Sequence, residues 1–186
     1  EDTTALVTWL NDNGYVITAD MYPYIAEYVA SGMAFLGIQL APTPQSGVYS
    51  IKPLQLRYNA TVPMVPLQLT AVAAEPEMGF VVFVAADENY EADNYESLDV
   101  DTDLLWADPR TGESNYYSMV SWLADLTPGG QAFFKEFADS SDELLDLIWN
   151  VWLGTDDQDE AEQFVQDLAG RHDRITRLYT RMSNWE

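Results

Sequence analysis

From Gly79 to Ala86 the chain reads Gly-Phe-Val-Val-Phe-Val-Ala-Ala, with no polar side chain to interrupt it. A run of this length is far short of the roughly 20 apolar residues a membrane helix needs. Its Val and Phe content is that of a β-strand. A strand that is apolar on both faces must be covered on both. The run therefore predicts a mid-sheet strand, Phe80 to Val84, between two layers.

Around this run the hydrophobic period changes along the chain. Leu6, Val7 and Leu10 share one face of a helix that Thr3 or Thr4 can cap and Gly14 can end. Ile25, Tyr28 and Val29 mark a second helix, capped by Thr18, with Pro23 tolerated in its first turns and Gly32 as its stop. The period then becomes two. Ala34 to Leu40, Leu54 to Asn59 and Leu67 to Val72 alternate as strands do, joined by short Pro-rich connections. Residues Asp87 to Asp103 are acidic and aperiodic, which predicts a long loop.

The last third turns mostly helical. Ser114 can cap a helix through Tyr116, Met119, Val120 and Leu123 that breaks at Pro128-Gly129-Gly130. Ser141 can cap another through Leu144, Ile148 and Trp152, and a third carries Ala161, Phe164, Val165 and Leu168. Gln131 to Ala138 and Ile175 to Met182 read as strands. The expected fold is a single α+β domain over residues 1–186, with an antiparallel sheet of about four to six strands in a meander and helices packed on it.

Composition limits the chemistry. The 186 residues include no Cys, one His and two Lys, against 31 acids, for a formal net charge of −23. A Cys nucleophile and a multi-His or multi-Cys zinc site are impossible. There is no Gly-x-Ser-x-Gly elbow and no Gly-rich phosphate loop. A field this negative repels nucleic acid and anionic lipid, and favours cations, basic proteins or neutral glycans. A hydrophobic content of 47% places the acids on a folded body.

Three constellations stand out. Asp87 and Asp93, with Asp99, Asp101 and Asp103, supply alternating oxygens that suit calcium. Position six is Ala92 or Leu104, where a helix–loop–helix calcium site needs Gly, so a solvated acidic loop is the competing reading. Many acids beside six Trp permit a carboxylate enzyme acting on glycans, yet among 31 acids some pair always fits. The aromatic helix faces holding Trp122, Trp149 and Trp152 read either as core or as a partner-binding surface. Finally, Arg171, His172, Arg174, Arg177 and Arg181 crowd into eleven positions. Arg forks match carboxylates, so the cluster reads either as an anion clamp or as internal neutralisation of the acidic stretch Asp156 to Asp167 just upstream, and Arg174, Arg177 and Arg181 are read as structural salt bridges to the acidic surface.

Several stretches share an order with a known family. They are Asn11-Asp12-Asn13-Gly14-Tyr15, Tyr28-Val29 before Phe35-Leu36, Ile51 to Tyr58, Val65-Pro66-Leu67-Gln68-Leu69, Asn94-Tyr95, and Ile175 to Arg181. Together they resemble the C-terminal half of the bacterial family known as domain of unknown function 2330. The resemblance implies an exported protein with a signal peptide, a Cys-containing N-terminal half and often a C-terminal anchor. A chain opening at Glu1 is then expected to be a processed product or a part of a longer protein. The family has no established activity, so no catalytic residue carries over. The expectation is a non-catalytic, extracytoplasmic binding or assembly domain of the cell envelope, with protein partners and no membrane insertion of its own. A calcium-stabilised module and a glycan-acting enzyme are the alternatives.

Overall fold

The structure, a computed structural model, describes residues 2–38, 56, 58–60, 62–143, 163 and 166–183. The chain divides into two compact units, Glu1–Ala73 and Ala74–Glu186.

The first unit holds two helices, α1 (Thr3–Asp12) and α2 (Tyr22–Ala30). Asp2, one residue ahead of the expected caps, starts α1 by accepting the Thr4 N–H at 2.9 Å. Met21 rather than Thr18 begins α2, with Pro23 in the first turn, where its missing N–H costs nothing. Gly14 and Gly32 end the two helices at φ 84° and 74°. Leu10, Ile25, Tyr28 and Val29 are buried, and Phe35 meets the Tyr28 ring edge-on at 6.5 Å.

The expected strands of this unit are corrected where they can be seen. Residues 33–38 run without strand pairing, and Gln68–Ala73 is a 3-10 helix. The Thr70 amide and hydroxyl both donate to the Leu67 carbonyl, which closes a turn. Pro63 and Pro66 have no N–H to give a ladder. Of the strand expected at Leu54 to Asn59, residues 56, 58 and 59 are described and none of them is in a strand; the rest lies outside the described residues.

The second unit is a four-stranded sheet in the order β1-β4-β3-β2, with β1 (Met78–Ala86), β2 (Glu96–Asp99), β3 (Ala132–Ser140) and β4 (Arg174–Met182). The fold is α+β and the sheet mostly antiparallel, but it is not a meander. β1 pairs with the distant β4, and β2 runs parallel to β3. A parallel pair needs a long crossover, and helix α3 (Tyr116–Asp125) supplies it. β2 lies within the expected loop.

The central place expected for β1 belongs to β4, whose alternating residues are buried on both faces; β1 is an edge. On the α3 side, Met119, Val120 and Ala124 pack against Ala132, Phe134 and Tyr179. On the other side, Tyr95 meets Phe133 edge-on at 5.1 Å and the Tyr90 N–H donates to Thr176 Oγ1. The loop between β1 and β2 therefore reaches this face.

β3 runs into a helical start at residues 141–143, where Ser140, not Ser141, accepts the Glu143 N–H at 3.3 Å. The helices expected through Trp152 and from Ala161 fall mostly outside the described residues, although residues 166–169 are helical.

Candidate functional site: an arginine–tyrosine face beside an open strand

Strand alternation places Arg177, Tyr179 and Arg181 on the α3 side of β4. Each meets an aromatic ring there. Tyr179 stacks on Tyr116 at 5.9 Å, and the Arg177 guanidinium lies 5.6 Å from the Phe83 ring centre. Arg181 lies 5.4 Å from that of Tyr117. Gly79 makes room for this layer, since a Cβ at that position would stand 3.0 Å from the Tyr179 hydroxyl.

The charges of the layer are matched within it. In β3 the register shifts between Lys135 and Phe137, so Glu136 is the extra residue of a bulge. Alternation places Glu136 on the face it shares with Phe134, and this carboxylate accepts from both the Arg177 guanidinium and the Tyr116 hydroxyl. The Glu136 side chain is only 13% exposed and that of Arg177 36%. Burial pushes the Tyr116 phenol up to about 12, while Arg177 pulls the other way. A phenol held protonated this firmly donates a hydrogen bond and is unsuited to act as a base near neutral pH.

At the far end of β4, Arg181 Nε stands 3.7 Å from Glu77 Oε2. Both atoms are buried and neither makes a hydrogen bond. Glu77 adopts φ 58°, and its N–H donates to Ser183 Oγ at 3.1 Å. Arg174 faces Asp139 at 3.4 Å, so all three arginines singled out in the sequence oppose a carboxylate. Those carboxylates belong to β3 and to the entry of β1. Arg171 does face the upstream acidic stretch, at Asp167, 3.9 Å away.

The five aspartates read as calcium ligands are all described. Among the described residues, no group of three or more His, Cys, Asp or Glu side chains is placed to hold a metal ion. Asp101 instead caps a short turn by accepting the Asp103 N–H, Asp99 lies 3.6 Å from Lys135, and Asp87 faces His172 at 3.9 Å. Glu91, hydrogen-bonded to Lys135 at 2.7 Å, has its pKa lowered by that bond, opposite to what an acid catalyst needs.

Besides its exposed charges, this unit leaves several large apolar side chains open. On β1, Val81 and Phe83 stand 46% and 55% exposed beside the arginine–tyrosine layer. Along α3, Tyr117 flanks that layer, while Trp122 and Leu126, one turn apart, are exposed on another side. Trp149 and Trp152 lie outside the described residues. Sequence reasoning found the arginines and the aromatic helix face from Tyr116 to Trp122 but missed Glu136, Glu77 and Phe83. The Tyr116-Tyr117 pair at the start of α3 and the Arg-x-Tyr-x-Arg alternation of β4 were the available signals.

No helix among the described residues is long and apolar enough to cross a membrane. No curated protein and no solved structure matches the chain. One family model does, over residues 1–171, so the matched stretch ends before β4 and its arginines. The chain belongs to DUF2330, a family described as an uncharacterized protein conserved in bacteria.

Proposed function

We propose that this chain is a non-catalytic binding or assembly domain of an exported, envelope-associated protein, and that the second unit carries its contact surface. The observation that supports this reading is a set of large apolar side chains left open beside one arginine–tyrosine layer: Val81 and Phe83 on β1 and Tyr117 on α3, with Trp122 and Leu126 a second exposed pair at the end of α3. Exposed apolar residues gathered in this way mark interaction sites more often than they mark chance. The charged groups beneath them are already paired with one another, which suits a rigid platform better than a reacting centre. Extracytoplasmic placement follows the resemblance to exported proteins.

Site-specific photocrosslinking in the native bacterium tests the reading. A photoreactive residue at Phe83 or at Trp122 should give a discrete adduct of one size, while the same residue at exposed Asp103 should not. Equal, diffuse labelling at all three positions would overturn it. Fractionation of the same cells tests the location, and recovery of the protein in the cytoplasm would contradict that part.

A further inference from the structure

The two edges of this sheet are built differently. β2 is short, four residues, and carries Glu96 and Asp99, the usual protection of an edge against stray pairing. β1 has none of that protection. It is nine residues long, contains no charge and no Pro, and pairs with β4 in unbroken register from Met78 to Ala86. Among the described residues no strand pairs with its outer side. A long, uncharged edge in unbroken register is a template for another strand.

The charges around β1 select the occupant. Glu75 stands at its entry and Glu88 at its exit, next to Glu77 and Asp87, which already face Arg181 and His172, on a chain of net charge −23. A second copy paired antiparallel through β1 would set the entry acids of one chain against the exit acids of the other, and such like-charge contacts oppose the pairing. A strand with basic ends is drawn in by the same acids. We infer that the outer edge of β1 receives an extended segment of another protein, apolar at alternate positions and flanked by Lys or Arg. Its backbone would extend the ladder beyond β1, and its apolar side chains would cover Val81 and Phe83. This inference rests on the reading of the second unit as a binding surface and names its partner chemistry.

The test uses the full chain and three peptides nine residues long, the length of β1. The first alternates Val and Thr between paired Lys ends, the second has Glu ends, and the third keeps the Lys ends around a Gly-Ser centre. Amide hydrogen exchange by NMR reads the site. The Lys-ended Val-Thr peptide should slow exchange in β1 more than tenfold, and the other two should not. The protection should fade with added salt, and Phe83→Asn or the pair Glu75→Gln and Glu88→Gln should weaken it at least fivefold. Each variant is first checked for an unchanged melt; if one fails to fold, the three peptides compared on the unsubstituted chain decide the outcome. Absence of β1 protection with millimolar Lys-ended peptide would overturn the inference. So would β1 protection that rises with protein concentration alone, which would assign the edge to a second copy. A discrete photoadduct at Trp122 with no peptide effect at β1 would remove this inference and leave the binding-domain reading standing; loss of both would remove both.

Discussion

Replacing Arg177 with Met removes the cation from a carboxylate that cannot reach much water. Glu136 sits in a bulge with its side chain 13% exposed, and its other partner, Tyr116, is neutral. Breaking a fully buried pair costs about 3–5 kcal/mol because the remaining charge is stranded. Arg177 is 36% exposed, so water can partly replace it, and we expect about 2–3 kcal/mol. Glu136→Gln should cost less, about 1 kcal/mol, since the freed guanidinium can turn toward solvent and the amide still accepts from Tyr116. The double variant should cost less than the sum of the two by about 1–2 kcal/mol. Urea denaturation followed by circular dichroism is the assay, because urea does not screen charge. With a slope of about 2 kcal/mol per molar, Arg177→Met moves the midpoint down by about 1 M. A loss under about 0.5 kcal/mol for Arg177→Met, or additivity of the two changes, would refute the claim that this pair acts as a unit.

Three further outcomes follow from the same structure. Tyr116 titrates near 12 when folded, raised chiefly by burial, against an ordinary value of 10. The unfolded chain therefore gives up this proton first, and the stability it contributes is complete below pH 10 and lost as pH rises to about 12, some 1–2 kcal/mol after solvent screening. Tyr116→Phe should flatten that alkaline loss, and parallel curves for the two proteins would contradict it. Phe134→Ala, at a fully buried site, should cost about 3–5 kcal/mol, whereas Phe83→Ala on the open edge should cost less than about 1; equal losses in urea melts would mean Phe83 is covered within the chain. A thermal melt with calcium should match one with magnesium, because the five aspartates of the 87–103 stretch form no group able to hold a metal ion; a rise of several degrees in calcium alone would restore the metal reading.

How much was legible in the sequence depended on what each segment asks of its neighbours. α1, α2 and α3 showed themselves by apolar spacing and by Gly or Pro punctuation, which are local properties. β3 and β4 did so by β-branched and aromatic content. β2 did not, because in Glu96-Ser97-Leu98-Asp99 only Leu98 is apolar and its pairing with β3 depends on the α3 crossover. The place of β1 was misread for a physical reason. A strand apolar on both faces needs cover, but composition does not say whether the sheet supplies it or leaves one edge open. Once Ile175 to Met182 is read as a strand, the alternation Arg177, Tyr179, Arg181 marks a common face. The partner carboxylate stayed hidden for another reason: Glu136 alternates with Ala132 and Phe134 and so shares their face, but which of 31 acids opposes Arg177 depends on the pairing of β3 with β4, which periodicity does not give.

Hydrogen exchange on the free, unsubstituted chain reads the open edge itself, since such an edge leaves alternate amides of β1 bonded to nothing but water. Slow exchange is expected at every amide of the central strand β4. In β1 an alternation is expected, in which every second amide exchanges at least a hundredfold faster than its neighbours. Uniform protection along β1, equal to that of β4 and independent of protein concentration, would show that the chain already covers this edge, and would contradict both the open edge and the binding surface built on it.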